Sequence, residues 1–447
     1  MKFVITGDSL FASRNLKKRM DPKIAAILAE ADAVFTNAEF VTPRRDTEPA
    51  AGRGYQTSVH PRILDEFADL NMKYISIANN HTGDYGIRGM VDTIEEAEVR
   101  GLYPLGIGRT LREAREPVFI DTADGRISII TVDVTRSEVF AATDPGNGVA
   151  ARPGVNPLRW SRTYAVSPED YELIKEISRR IGVDDSIRKC RDVETFAGRD
   201  DDGDLYDFGS IFEGLITFER VRDGSVGVHT QVNAEDQSEI LRFIRDARYR
   251  SDFVFVNLHT HEGQNENWYA DYPPTFIEEF CRLAVDAGAD CVFGHGAHFP
   301  RGAELYQGKP IFYNLGSLFM EFGGGECIVS PEMIASYGYR PDEVPSELHR
   351  NRTKDEKGNW LGFYSDPKFS QNFLVVFDLS REKNRFSYEM VPLDLQMTNE
   401  IETKRGMPVL ASKETSAELF GRLDAQSRAR YGTAIVCEEG KYLLREV

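Results

Sequence analysis

The chain has 447 residues, 41% of them hydrophobic, and a formal net charge of -18; that is length enough to bury a large core as one large domain or two. So acidic a balance argues against nucleic acid or an anionic membrane as a bulk partner, although not against a local basic pocket. No run is long enough to span a bilayer, the opening MKFVITGDSLFASR is too short in its apolar stretch for a signal peptide, and five cysteines without C-x-x-C spacing read as reduced thiols, so the expectation is a cytoplasmic protein.

From Met1 to about Val134 the pattern is repeated β-α. KFVITG reads as a strand that closes on Asp8, and AVFTN as one that leads through Ala38 to Glu39. FADLNMKYISIANNH places a helix before a strand that ends at Asn79-Asn80-His81. Gly86 to Arg100 then predicts a helix with Met90, Ile94 and Ala97 on one face, ended by Gly101. RISIITVDV follows the turn at Asp124-Gly125 as a further strand. Between about 141 and 235 the character changes. ARPGVNPLRW is rich in Pro, Gly and Arg, and SPEDYELIKEISRRI reads as a helix with Ser167 as N-cap and Pro168 at its first position. The acidic string GRDDDGDLYD, 198–207, lacks the register of a calcium-binding EF-hand loop and reads as a solvated loop.

The core pattern resumes with DFVFVNL running into His259-Thr260-His261, DCVFG into His295-Gly296-Ala297-His298, and KPIFYNLGSLFM. A long irregular region, about 321–371, reads as a lid or substrate-facing insertion. NFLVVFDL and FSYEMVPLDL follow as a hairpin packing on the core, and then a helix from about Ser416 to Arg430 with Leu419, Leu423 and Ala425 as its apolar positions. No internal repeat of fixed period is present.

Short apolar runs alternating with helices predict buried parallel strands, whose C-terminal ends share one edge where ligands bind. Five distant segments would therefore deliver Asp, Glu, Asn and His to one crevice. Imidazole with carboxylate suits Zn, Mn, Fe or Ni, and an Asn carbonyl adds a neutral oxygen. His295 and His298 can both face the crevice from a Gly-containing turn. His259 and His261, two apart, either both serve or the second begins a loop and serves substrate. His81 directly follows Asn80 and can stand beside a cation as proton donor or acceptor, with Asp84 orienting its other nitrogen; the alternative makes Asp84 the N-cap of the next helix.

These strings resemble the CapA family, named for a poly-γ-glutamate capsule synthesis protein and related to the calcineurin-like metallophosphoesterases. The resemblance rests on Gly7-Asp8, Asn37-Ala38-Glu39, Ala78 through Gly86, His259 to Glu262, Gly294 to His298, and Tyr306 to Ser317. It implies an α/β fold, a four-layer α/β/β/α sandwich with insertions, built as one domain over 1–447 with about 372–447 packing on the core. It further implies Asp8, Glu39, Asn80, His259, His295 and His298 as ligands of one or two divalent ions, and His81 as catalytic acid or base. Three departures stand out: Leu10 occupies the place of the phosphoesterase Asp-x-His histidine, Thr260-His261 replaces Trp-Gly, and Ser317 replaces an Asn.

The expected reaction is metal-dependent hydrolysis of a peptide, γ-glutamyl or other carboxylate-rich amide, with His81 protonating the leaving group. Epimerisation at a peptide α-carbon is an alternative, with His261 as a second base. Phosphoester hydrolysis and non-catalytic binding of an acidic polymer are two more. Arg301 beside His298, Arg152 and Arg159 in the Pro-rich segment, and Arg44 after a motif strand are the candidate anion-binding residues, since a guanidinium fork matches carboxylate and phosphate alike. Metal identity and oligomeric state are not legible.

Overall fold

The computed structural model describes all residues except 53–54, 136, 195–202, 322–325 and 383–384. Part of the acidic string, 198–202, therefore lies outside the described residues, as do 322–325 of the region about 321–371.

The first strand, Lys2–Phe11, shows why the chain layers as it does. Phe3 and Ile5 turn to one side and join Phe35, Ile129, Phe255, Phe293 and Phe377 in one apolar cluster. Val4 turns to the other side and joins Val34, Leu28, Phe67, Met90 and Ile94 in a second. Side chains of a strand alternate between faces, so a run apolar at every position has to be covered on both.

The covering partner on the inner face is a second sheet. A ten-stranded sheet runs Thr433–Glu438, Lys441–Glu446, Arg385–Asp394, Gln371–Ser380, Lys2–Phe11, Ala33–Ala38, Tyr74–Ser76, Tyr103–Leu105, with Ser317–Glu321 also beside the first strand and Val409–Leu410 beside Arg385–Asp394. A six-stranded sheet runs Ala303–Tyr306, Lys309–Phe312, Cys291–Gly296, Phe253–Thr260, Gly125–Asp133, Val118–Thr122. Edge-to-face phenylalanines join them: Phe3 with Phe255 at 4.7 Å, Phe35 with Phe293 at 4.9 Å and Phe255 with Phe377 at 5.1 Å between ring centroids. Such pairs add about 0.5–1.5 kcal/mol each beyond the area they bury.

Helices close the outside. Those at Pro22–Ala29 and Gly86–Glu98 supply Ile24, Leu28, Met90, Ile94 and Ala97 to the outer cluster of the large sheet. Beside the smaller sheet, Arg248 at the end of Ala234–Arg250 bonds Asp290, and Arg282 of Thr275–Asp286 bonds Glu304. The result is the four-layer α/β/β/α sandwich that the motifs implied.

Three local expectations are corrected. The first strand does not end at Asp8 but continues to Phe11, because Ser317–Glu321 lies parallel to its second half while Gln371–Ser380 pairs antiparallel with its first. The strands at Gln371–Ser380 and Arg385–Asp394 do form a hairpin, yet they extend the large sheet itself instead of packing on it. Asp84 is not a helix cap: Tyr85 holds that position, and the Asp84 carboxylate accepts from the Thr57 backbone N–H at 2.8 Å.

Residues 160–234 and 263–278 form a compact unit of their own. Its sheet runs Leu205–Ser210, Gly214–Arg220, Trp160–Val166, Gly227–Val232, and its helix Pro168–Ile181 is capped by Ser167 as expected and ended by Gly182 with φ of 80°. The stretch 141–159 belongs instead to the larger unit, as do the described residues of 321–371, which form two short helices, Pro331–Ser336 and Pro345–Arg350. Among the described residues, no helix is long and apolar enough to cross a membrane.

Candidate metal centre

Strand register does most of the placing. In the large sheet Asp8 is paired with Asn37, and in the smaller sheet His259 sits between His295 and Asp133. Asp8 reaches across between the sheets: its Oδ2 accepts from the Gly296 backbone N–H at 2.9 Å, while Asn37 Nδ2 donates to Oδ1 at 2.9 Å. Gly296 permits this approach because its φ of 115° and its closeness to the Thr260 backbone leave no room for a Cβ.

Around Asp8 stand two imidazoles. His295 Nδ1 lies 3.1 Å from Oδ1 and His298 Nδ1 lies 3.2 Å from Oδ2. His298 aims its ring inward from a left-handed backbone, φ 62°, unusual for a residue with a side chain. His259 Nδ1 is 2.9 Å from His295 Nδ1, and its other nitrogen lies 3.0 Å from Asn80 Oδ1. His295 Nε2 is held by Asn257 Oδ1 at 3.0 Å, which leaves Nδ1 as the nitrogen turned to the cluster.

Glu39 follows its strand and is fully buried, yet among the described residues neither of its carboxylate oxygens has a hydrogen-bond donor. His261 Nε2 and His298 Nε2 each lie 3.6 Å from Oε1. These separations are long for hydrogen bonds. They come close to the edges of about 3.0–3.4 Å expected between neighbouring donors on one ion with bonds of roughly 2.1 Å. Three sets of donors are close enough for an ion: Asp8 with His259 and His295; Glu39 with His259 and His261; and Asp8 with Glu39 and His298. Sharing of the carboxylates Asp8 and Glu39 between sets would suit a two-ion centre, while His259, a neutral imidazole with one lone pair, would serve one ion.

The electrostatics agree. Burial works against ionisation of Asp8, but hydrogen bonds and charge from His295 and His298 overcome it and hold the carboxyl well below its usual range. Glu39 has no such support, so burial, reinforced by the Asp8 charge, pushes it well above. Burial, with the neighbouring imidazoles, keeps His259 and His261 neutral and far below the ordinary histidine range, which leaves their lone pairs available for a metal.

His81 stands at the rim. Its Nδ1 is 2.8 Å from Asp84 Oδ2, and its backbone N–H donates to Asn79 Oδ1 at 3.0 Å. Asn79 also donates to the Ala38 carbonyl at 2.9 Å, tying the His81 turn to the loop that carries Glu39. The structure thus gathers Asp8, Glu39, Asn80, His259, His261, His295 and His298 together, with His81 and Asp84 as an adjoining pair.

The expected arginines are placed otherwise. Arg44 is engaged by Glu95 at 2.9 Å and Glu96 at 3.1 Å. Arg159 forks onto Asp236 at 2.6 and 2.8 Å, and Arg152 donates to the Ala141 carbonyl. Arg301 is buried and donates to the Glu262 and His261 carbonyls, so it holds the loop that presents His261. Asn37 and Asn257 were not foreseen. Their signal was available: each is an amide in a fully buried, mostly apolar strand, and a buried strand that keeps an amide keeps it for a hydrogen bond.

A family model described as "Bacterial capsule synthesis protein PGA_cap" matches residues 2–321. An uncharacterized protein of Sinorhizobium fredii, y4sH, is 28% identical over 99% of this chain and 92% of its own length. A probable polyglutamine synthesis accessory protein of Mycobacterium tuberculosis is 25% identical over 66% of this chain and 57% of that one, and the PGA biosynthesis protein CapA of Bacillus subtilis is 22% identical over 67% and 56%. Among solved structures, a novel phosphatase of Mycoplasma pneumoniae is similar over 88% of this chain and 93% of that chain, with 12% identity and a TM-score of 0.36.

Proposed function

Since this chain belongs to the bacterial capsule synthesis protein family, we propose that its buried centre holds one or two divalent ions, Mn, Zn, Fe or Ni, and that the protein hydrolyses a peptide, γ-glutamyl or other carboxylate-rich amide. The observation that carries the proposal is Glu39, a buried carboxylate with no hydrogen-bond donor on either oxygen among the described residues and two imidazole nitrogens 3.6 Å from one of them. Left alone, such a group costs several kcal/mol; a cation between the donors removes the cost. The names of relatives in Mycobacterium and Bacillus, which refer to polyglutamine and PGA synthesis, favour an amide chain as substrate.

Asp8, Glu39, Asn80, His259, His261, His295 and His298 would hold the ions. An ion there supplies Lewis acidity, polarising a carbonyl and making water a nucleophile near neutral pH. The chain's own residues do the rest. Asn37 and the Gly296 N–H fix the Asp8 carboxylate, and Asn257 fixes the His295 ring, so the donors meet the ion without rearrangement. Asp84 accepts from His81 Nδ1–H, which leaves Nε2 to exchange a proton. As water oxygen adds to the carbonyl carbon and the C–N bond breaks, His81 delivers the proton the departing amine requires.

The test uses the full chain stripped by a chelator and reloaded with Mn, Zn, Fe or Ni. Each form is given tri-γ-glutamate and, separately, an aryl phosphate. Free glutamate released by a loaded form and not by the stripped one is the expected result. Phosphate release without glutamate makes the protein a phosphoesterase, and neither product from any loaded form overturns hydrolysis.

A further inference from the structure

We propose that Arg352 is the anion-recognition residue of this centre, binding a carboxylate or phosphate group of the substrate on the His81 side. The inference rests on the hydrolase reading above and adds the residue that would select an acidic substrate. Arg352 is exposed, and its guanidinium carbon lies 4.8 Å from the Tyr55 ring centroid and 4.9 Å from that of Tyr337. The two rings meet edge to face at 6.3 Å. Tyr55 in turn packs edge to face on His81 at 6.0 Å, so one aromatic ring separates the guanidinium from the proton-exchanging imidazole.

Arg352 is held by aromatic rings and not by a carboxylate. Arg44, Arg159 and Arg350 are engaged by acidic side chains, and Arg301 by backbone carbonyls. Among the described residues, none forms an ion pair with Arg352. Two rings hold its position, the Tyr55 side chain also hydrogen-bonds to it, and the exposed guanidinium has further N–H groups to offer a planar anion. The same segment touches the centre a second time: Phe363 meets the His298 ring at 5.3 Å. Residues 326–369 therefore flank the centre at both His81 and His298, and Arg352 is the cation they bring against Tyr55, the ring that packs on His81.

Titration calorimetry on the full chain loaded with Mn tests this, with tri-γ-glutamate and inorganic phosphate as separate probes and with Arg352→Gln and Arg352→Lys as variants. Arg352→Gln is expected to weaken tri-γ-glutamate by about 10- to 50-fold. Arg352→Lys recovers only part of that, since an ammonium keeps the charge and loses the fork. Mn content and melting temperature stay unchanged in both, which a merely structural role would not allow. Weakening of phosphate alone keeps Arg352 as an anion site and assigns it to a phosphate group. Equal affinity of wild type and both variants for both probes overturns the inference, as does a wild type that binds neither. The hydrolase proposal is judged separately, by glutamate release.

Discussion

The Nδ1 atoms of His259 and His295 face each other 2.9 Å apart, with Asp8 Oδ1 3.1 Å from the second of them. Two imidazole nitrogens so close cannot both point lone pairs at one another without a proton or a cation between them. With a divalent ion there, both lone pairs are used. His295→Ala and Asp8→Asn are therefore expected to lower metal affinity by on the order of 100-fold or more. Elemental analysis after dialysis against a weak chelator measures this; full metal occupancy in both variants would remove these residues from the donor set.

Glu39→Gln separates stability from function. Burial and the Asp8 charge disfavour the ionised carboxylate in the metal-free protein, and an amide of the same shape does not carry that cost. The metal-free variant is expected to melt about 1–3 °C above metal-free wild type, in keeping with a gain of roughly 1 kcal/mol. Added metal should then raise the wild-type melting temperature and leave that of the variant nearly unmoved. A variant stabilised by metal as strongly as wild type would show that Glu39 is not a ligand.

Much of this centre was legible because strands buried on both faces leave long apolar runs, and a His, Asp or Glu at the end of such a run stands out. The donor residues on at least four segments could be read that way. What escaped depends on register and on distant partners. The strand through Asp8 continues to Phe11 only because Ser317–Glu321 arrives beside it, and no local signal announces a neighbour from so far along the chain. For Asp84 spacing left two roles open, orienting His81 or capping the next helix, and only the structure shows its carboxylate taken by the Thr57 N–H and His81. Arg301 illustrates the same limit from the other side. An arginine beside a metal loop reads identically whether it awaits a substrate anion or, as here, donates to backbone carbonyls of its own protein. Arg352 was missed because it sits in a region without strand or helix periodicity, about 321–371, where the sequence offers no means of placing a side chain.

The His81–Asp84 pair has a signature distinct from that of the donors. Asp84→Asn keeps a hydrogen bond to His81 but can present its N–H where the carboxylate accepted one, favouring the wrong tautomer. The expected outcome is a fall in kcat of about 10²–10⁴-fold with metal content unchanged. His81→Ala should fall at least as far. Steady-state kinetics beside metal analysis decides it, and wild-type turnover in either variant would take the proton-transfer role from His81.

The segment bearing Arg352 carries a pH dependence of its own through His349. This residue is buried in the short helix Pro345–Arg350, beside a small cluster of Met333, Ile334 and Leu348. Burial, with the nearby Arg352 charge second, lowers its pKa from 6.5 to about 4. The folded form therefore requires the neutral ring, while the unfolded chain takes up a proton as pH falls through 6.5. Stability from this group is complete above about 6.5 and is lost progressively as pH drops to about 4, by at most roughly 3 kcal/mol. His349→Leu removes the titrating group and leaves an apolar side chain in its place. Urea denaturation of the metal-free proteins should show the wild type losing more stability than the variant between pH 7.5 and pH 4.5, with the difference appearing below pH 6.5. Identical pH profiles for the two would mean that the imidazole is solvated in solution and not buried as it is in the structure.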